Sequence, residues 1–180
     1  MARCPERPEL AARRIPDAFK RIDAWAPDPH NVLPEELFVF ISRLTPIVNV
    51  DLLIRDPEGR LLLTWRSDEI DGAGWHIPGG IIRYKEDAAC RIQATAQREL
   101  GIQVEFEANP VAIQQVIHPT RRERGHFISL AYDCRAIGSP QSSLRYDGGP
   151  PQPGQWKWHA ACPPDLIAVH RMYRCFFRSS

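Results

Sequence analysis

The chemistry legible in this chain lies on a short stretch that holds Gly79, Gly80, Glu86, Thr95, Arg98 and Glu99. Thr95, Arg98 and Glu99 stand three and four residues apart, a spacing that puts them on one side of a helix. Carboxylate oxygens suit hard divalent cations, so Glu99 is the metal-ligand candidate on that side, and the cationic Arg98 is not one. Upstream, Pro78-Gly79-Gly80 reads as a turn whose glycines let backbone come close to a ligand. A further carboxylate, Asp51, interrupts an apolar run. Buried without a partner it would be costly, so it is expected to face a pocket or to pair with an arginine, with an edge-facing position as the alternative.

Several elements must position these groups. Ala88, Ala89, Ile92, Ala96 and Leu100 recur at helical spacing and make a narrow apolar stripe. Glu86 and Asp87 suit the first turn of that helix, and Gly101 suits its C-terminal cap. Cys90, on the same helix, is expected to be buried. Residues 47–54 (I-V-N-V-D-L-L-I) read as a strand, and residues 60–65 pair back on it across the Asp56-Pro-Glu-Gly59 turn. Residues 66–74 read as a polar loop. Further strands are predicted at Val104 and Phe106, at residues 111–118, at residues 126–136 and at residues 155–160. A short helix is predicted over residues 34–43, and a C-terminal helix opening at Pro163-Pro164-Asp165. Strands framed by helices in this order predict an α/β chain with a mixed β-sheet between helices.

Composition narrows the function. The 180 residues are 43% hydrophobic with a net charge of +1, enough for one domain with a real core and too balanced for a nucleic-acid partner. No apolar run approaches a membrane span. The five cysteines are scattered and form no C-x-x-C, which favours reduced thiols and a cytoplasmic setting over disulfides or a zinc site. Residues 1–30 are rich in Pro and Arg and read as an extension or arm, with a short helix near residues 16–25. Residues 31–180 read as a single domain.

Residues 80–102 resemble the Nudix box, a glycine, five residues, a glutamate, seven residues, then Arg-Glu-U-x-Glu-Glu-x-Gly-U with U bulky and aliphatic. Gly80, Glu86, Glu99, Gly101 and Ile102 fit in register. Ala94, Thr95 and Arg98 stand where the box has Arg, Glu and Glu. The lead-in Trp75-His-Ile-Pro-Gly-Gly80 is similar to the family's usual entry. The resemblance implies an α/β/α sandwich and hydrolysis of a nucleoside diphosphate derivative. An ordinary amphipathic helix after a glycine turn is the alternative.

With two helix carboxylates replaced, the chain looks most like the GDP-mannose mannosyl hydrolase branch, in which water attacks the sugar carbon and nucleoside diphosphate leaves. The resemblance runs from about residue 37 to residue 177. It implies a catalytic set of Arg66, His118 and Asp51, substrate contacts from Phe38, Arg83 and Phe127, and one divalent ion held by Gly80, Glu99 and Gln152. The ion would be magnesium, with manganese as the alternative. The branch's general-base histidine is Pro153 here, which leaves His118, His126 or His159 to take its part. The branch's second diphosphate-binding arginine is Ile81, with Arg83 two residues on. The resemblance also implies a homodimer and a nucleotide-sugar or nucleoside diphosphate as the small-molecule partner, and the lack of a spanning apolar run argues against membrane association. Two other outcomes stay open: binding a nucleotide without turnover, and attack at phosphorus with displaced ligands.

Overall fold

The computed structural model describes residues 15–28, 33–69 and 71–177. Its centre is strand β1 (Ile47–Arg55), the run of aliphatic residues that the sequence marks most strongly. β1 pairs antiparallel with β2 (Leu61–Asp68) and with the short β4 (Gly79–Ile81), and parallel with the long β7 (His126–Ile137). β3 (Gly72–His76) and β8 (Trp156–His159) flank β2, while β5 (Gln103–Phe106) and β6 (Ala112–Ile117) share the length of β7. The result is a mixed sheet, as expected.

Side chains alternate across a strand, so this sheet has two cores. Val50, Leu52 and Ile54 pack with Ile92, Ala96 and Leu100 of helix α3 (Ala88–Leu100) on one face. Leu53, Leu61 and Leu63 pack with Trp75, Leu166, Tyr173 and Phe177 on the other. A β-strand buried on both faces reads as a continuous apolar run, which is what residues 50–54 show apart from Asp51. Helices α1 (Ile15–Trp25) and α2 (Glu35–Ile41) precede the sheet. Of the expected arm, residues 1–14 and 29–30 lie outside the described residues.

Four expectations change. Residues 66–74 are not a loop: β2 runs to Asp68 and β3 pairs back on it, with Trp65 opposite Trp75 and their rings edge-to-face at 5.3 Å. The polar composition there reflects solvent-exposed strand ends. The C-terminal helix is a 3-10 segment, Ala168–Phe176, and Leu166 and Ile167 lie before it. Leu166 instead bridges to Trp75, with the Trp75 N–H donating to Asp165 O and the Ile167 N–H to Trp75 O, both at 3.0 Å. Those cross-chain bonds take the backbone groups a helix would use. Glu86 precedes α3, whose N-cap is Asp87, accepting from the Cys90 N–H at 2.6 Å. Cys90 is exposed, because the buried face of α3 runs through Arg91, Ile92, Thr95, Ala96 and Leu100. Gly101 caps α3 in the left-handed conformation, φ 69°, as its residue type predicts.

Candidate functional site

The glycine turn is wedged between the sheet and α3. Asp51 lies opposite Gly79 and Val50 opposite Gly80 in the β1–β4 register. A Cβ on Gly79 would come within 2.6 Å of Asp51 Oδ1, and one on Gly80 within 2.4 Å of Thr95 Oγ1 and 2.9 Å of Arg91 Cδ. Both glycines are therefore required by close approach, not by turn geometry alone.

Above the turn, Arg98 Nη2 donates to Gly79 O at 3.2 Å and to Glu99 Oε1 at 2.9 Å. The other Glu99 oxygen, Oε2, is buried, has no hydrogen-bond partner among the described residues, and lies 3.7 Å from His76 Nε2. Burial opposes ionisation of Glu99, but the nearby His76, then the hydrogen bond and charge of Arg98, outweigh it, and the carboxyl is held below its usual range. His76 is held in turn by Thr64: its Nδ1 lies 2.8 Å from the Thr64 carbonyl. A carbonyl can only accept, so Nδ1 carries the hydrogen and Nε2 is left to face Glu99. His170 sits behind, its ring centroid 6.1 Å from that of His76, and its Nδ1 accepts the Ile77 N–H at 2.9 Å. Burial, then the neighbouring His76 and Arg66, push His170 well below its ordinary value, so it is neutral.

Glu86 is committed elsewhere. It forms a two-pronged ion pair with Arg91, at 2.8 and 2.7 Å, and accepts the Arg83 N–H at 2.9 Å. Asp51 is buried under the Gly79 turn and, among the described residues, meets no arginine. It accepts from Asn49 Nδ2 at 2.8 Å and from Tyr173 OH at 2.5 Å. Burial pushes its carboxyl up to about 6, with the hydrogen bonds pulling partly back.

Arg66 shares a face of β2 with Thr64, two residues back. It pairs with Asp68 at 2.8 Å and with Asp71 at 3.3 Å, and Arg121 reaches the other oxygen of Asp71 at 3.0 Å. His118 Nδ1 accepts the Arg121 N–H at 3.2 Å, closing the turn that carries Arg121. An open groove of about 320 Å³ runs on from Arg121, lined by Glu35, Val39, Glu69, Glu123 and Arg124. Phe38 of α2 lies under the Arg124 guanidinium, 4.9 Å from its ring centre. Phe127 sits in β7 between Ile47 and Val116. Gln152 bonds within its own loop, to Gln155 Oε1 through its N–H and to Pro150 O through Nε2.

Of the expected site residues, the structure gathers Gly80 and Glu99 at the turn and links Arg66 to the loop after His118 through Asp71 and Arg121. Asp51 lies beneath the turn, and Gln152 makes its hydrogen bonds away from it. His126 pairs with Gln115 at 3.0 Å. His159 lies against Trp75 on the opposite face, where burial pushes it down to about 4. The histidine beside Glu99 is His76, which the sequence reading passed over within the Trp75–Gly80 lead-in. Recognising that residues 72–76 pair with β2 would have set it against Thr64.

Does this donor set fit a divalent ion? Glu99 is the carboxylate at the turn, and a guanidinium already bridges it to the Gly79 carbonyl. Among the described residues, no group of three or more His, Cys, Asp or Glu side chains is placed to hold a metal ion. A divalent ion about 4 Å from the Arg98 charge would be repelled by roughly 8 kcal/mol at an effective dielectric near 20, before solvent screening. In this arrangement the residues do not fit the ion.

A mixed sheet between an α-helix and a C-terminal 3-10 layer, with a glycine turn packed against the helix, makes an α/β sandwich. The chain belongs to the Nudix family: the family's NUDIX domain model matches residues 45–163. Members generally use divalent metals and act on nucleoside diphosphate derivatives. The chain is 34% identical over 83 residues to the low-salt glycan biosynthesis protein Agl8 of Haloferax volcanii, a match covering 46% of this chain and 53% of that protein. It thus spans about half the length of that curated relative. Its fold is similar to a MutT NUDIX hydrolase from Burkholderia pseudomallei, with a TM-score of 0.57, 22% identity, and coverage of 71% of this chain and 95% of the other. A possible asymmetric diadenosine tetraphosphate hydrolase from Jonesia denitrificans is comparable, with a TM-score of 0.56, 20% identity, and coverage of 72% and 90%. Among the described residues, no helix is long and apolar enough to cross a membrane.

Proposed function

We propose that this chain hydrolyses a nucleoside diphosphate sugar of the GDP-mannose type, with water adding to the sugar carbon and the nucleoside diphosphate leaving. The observation that carries the reading is the placing of His76 Nε2 3.7 Å from Glu99 at a turn that Glu86 does not serve. Attack at phosphorus drives a nucleophile against a dianionic diphosphate and calls for several metals and carboxylates. Attack at an anomeric carbon passes through a sugar cation, and the demand shifts to the leaving diphosphate. Arg66 and Arg121, drawn together on Asp71, supply charge of the sign and shape that phosphate oxygens need. In its neutral form, with the hydrogen on Nδ1, His76 takes the water proton at Nε2 while the water oxygen bonds to the sugar carbon. The carbon–oxygen bond breaks and its electron pair stays on the diphosphate. A relative named for glycan biosynthesis agrees with a sugar nucleotide as substrate.

Hydrolysis in ¹⁸O-labelled water tests this on a panel of sugar nucleotides. Label in the sugar is expected; label in phosphate points to attack at phosphorus. Pro153 at the family branch's base position, and the hold of Arg98 on Glu99, favour a second reading, a protein that binds the nucleotide without turnover. Saturable binding with no product would select it. The proposal extends to a homodimer built through α2 and to a reducing, cytoplasmic setting, in keeping with the free thiols of Cys90, Cys134, Cys162 and Cys175.

A further inference from the structure

We propose that the Arg98 guanidinium is the resident cation of this site, occupying the position between the Gly79 carbonyl and the Glu99 carboxylate where a divalent ion would have to bind. One nitrogen, Nη2, reaches both oxygens, at 3.2 and 2.9 Å. These oxygens come from separate elements, the start of β4 and the last turn of α3, so their convergence is a property of the fold. A carbonyl and a carboxylate oxygen are the donors hard cations take, at ~2.0–2.6 Å, and a nitrogen in contact with both leaves no room for an ion between them. The neighbouring acids cannot add a ligand without leaving other work. Glu86 holds Arg91, Asp87 caps α3, and Asp51 lies beneath the turn bonded to Tyr173. An arginine stays protonated at any working pH, so this cation is permanent. More than half of the Arg98 side chain is exposed, and its planar fork can meet phosphate oxygens directly. The chain would then present a covalently fixed positive charge where a metal-dependent relative recruits one from solution. The claim concerns the same site as the proposed hydrolysis, but it is read without substrate or turnover, so either can fail alone.

The test is a Mn²⁺ titration of the full chain, followed by the loss of the free-ion electron paramagnetic resonance signal. The wild-type chain should take up no stoichiometric Mn²⁺ into the low millimolar range. Arg98→Glu removes the guanidinium and adds a carboxylate, and should bind one Mn²⁺ at least about tenfold more tightly than wild type. Arg98→Glu combined with Glu99→Gln should lose that site. Arg98→Gln, which only uncovers the two oxygens, should show a smaller gain in the same direction, and it serves if circular dichroism finds Arg98→Glu unfolded. One equivalent of Mn²⁺ bound by the wild type and weakened by Glu99→Gln would overturn the proposal. So would the absence of any gain in a folded Arg98 variant.

Discussion

Asp51 is held by two neutral donors, Asn49 and Tyr173, in a place where burial lifts its pKa from 3.8 to about 6. The folded chain thus binds the proton more tightly than the unfolded one. The associated stability is fully present below about pH 4 and is lost as pH rises through about 6, leaving a penalty of up to about 3 kcal/mol near pH 7. Asp51→Asn is expected to stabilise the chain by about 1–3 kcal/mol near pH 7, with the gain shrinking toward zero near pH 4. Urea unfolding of both proteins at the two pH values checks this. The difference between them is the quantity to follow, because neutral His170 works the other way: its depressed pKa contributes stability above pH 6.5 that is lost on acidification. His76 calls for a kinetic test. If its Nε2 takes the water proton, His76→Asn should lower kcat by about 10²–10⁴-fold, measured on whichever sugar nucleotide is turned over. A fold loss near unity would remove it from the mechanism.

At the scale of elements, the site depends on how closely β4 approaches α3. Gly80→Ala would drive a methyl into Thr95 Oγ1 and Arg91 Cδ, at a cost of about 1–3 kcal/mol. Thr95→Ala removes the hydroxyl that the methyl meets. The double variant should therefore be more stable than the sum of the single changes predicts, by about 0.5–3 kcal/mol in a thermodynamic cycle. Strict additivity would mean that β4 yields in some other way. The loop before α3 is tied by Glu86, which joins the Arg83 backbone to the buried Arg91. Glu86→Ala leaves that guanidinium buried without its partner, and should cost about 3–5 kcal/mol. Read by thermal unfolding, this separates a structural Glu86 from a metal-binding one, whose loss would spare stability.

Over the whole molecule, the sheet brings remote segments to one edge of the turn. β1 lies beside β7 in parallel, so the loop before β7 carries Arg121 toward Asp71 and Arg66. α2 stands next to this loop through Arg124, which pairs with Glu35 and lies over Phe38. Phe40 of α2 is 44% exposed, an apolar surface in keeping with the proposed dimer. Light scattering at micromolar concentration should return a dimer mass, and Phe40→Glu should shift it toward monomer. A monomeric wild type would remove the dimer.

What the sequence by itself determined is what local rules govern. The apolar run of β1, the stripe of α3 and the left-handed glycine at its end are set by residue type and spacing alone, and the resemblance to the Nudix box marks the carboxylates missing at positions 95 and 98. From these the mixed sheet and the family were already legible. Tertiary structure alone decided which partner each polar group found. Arg98 lies across Gly79 O and Glu99, Arg91 claims Glu86, His76 turns to Glu99 because Thr64 holds its other nitrogen, and Asp51 ends beneath the turn on Tyr173. The same cause made the C-terminal segment a 3-10 turn, since Leu166 first pairs with Trp75. Burial and hydrogen-bond partnership depend on which strands become neighbours, and that is a property of the assembled sheet that no local spacing encodes.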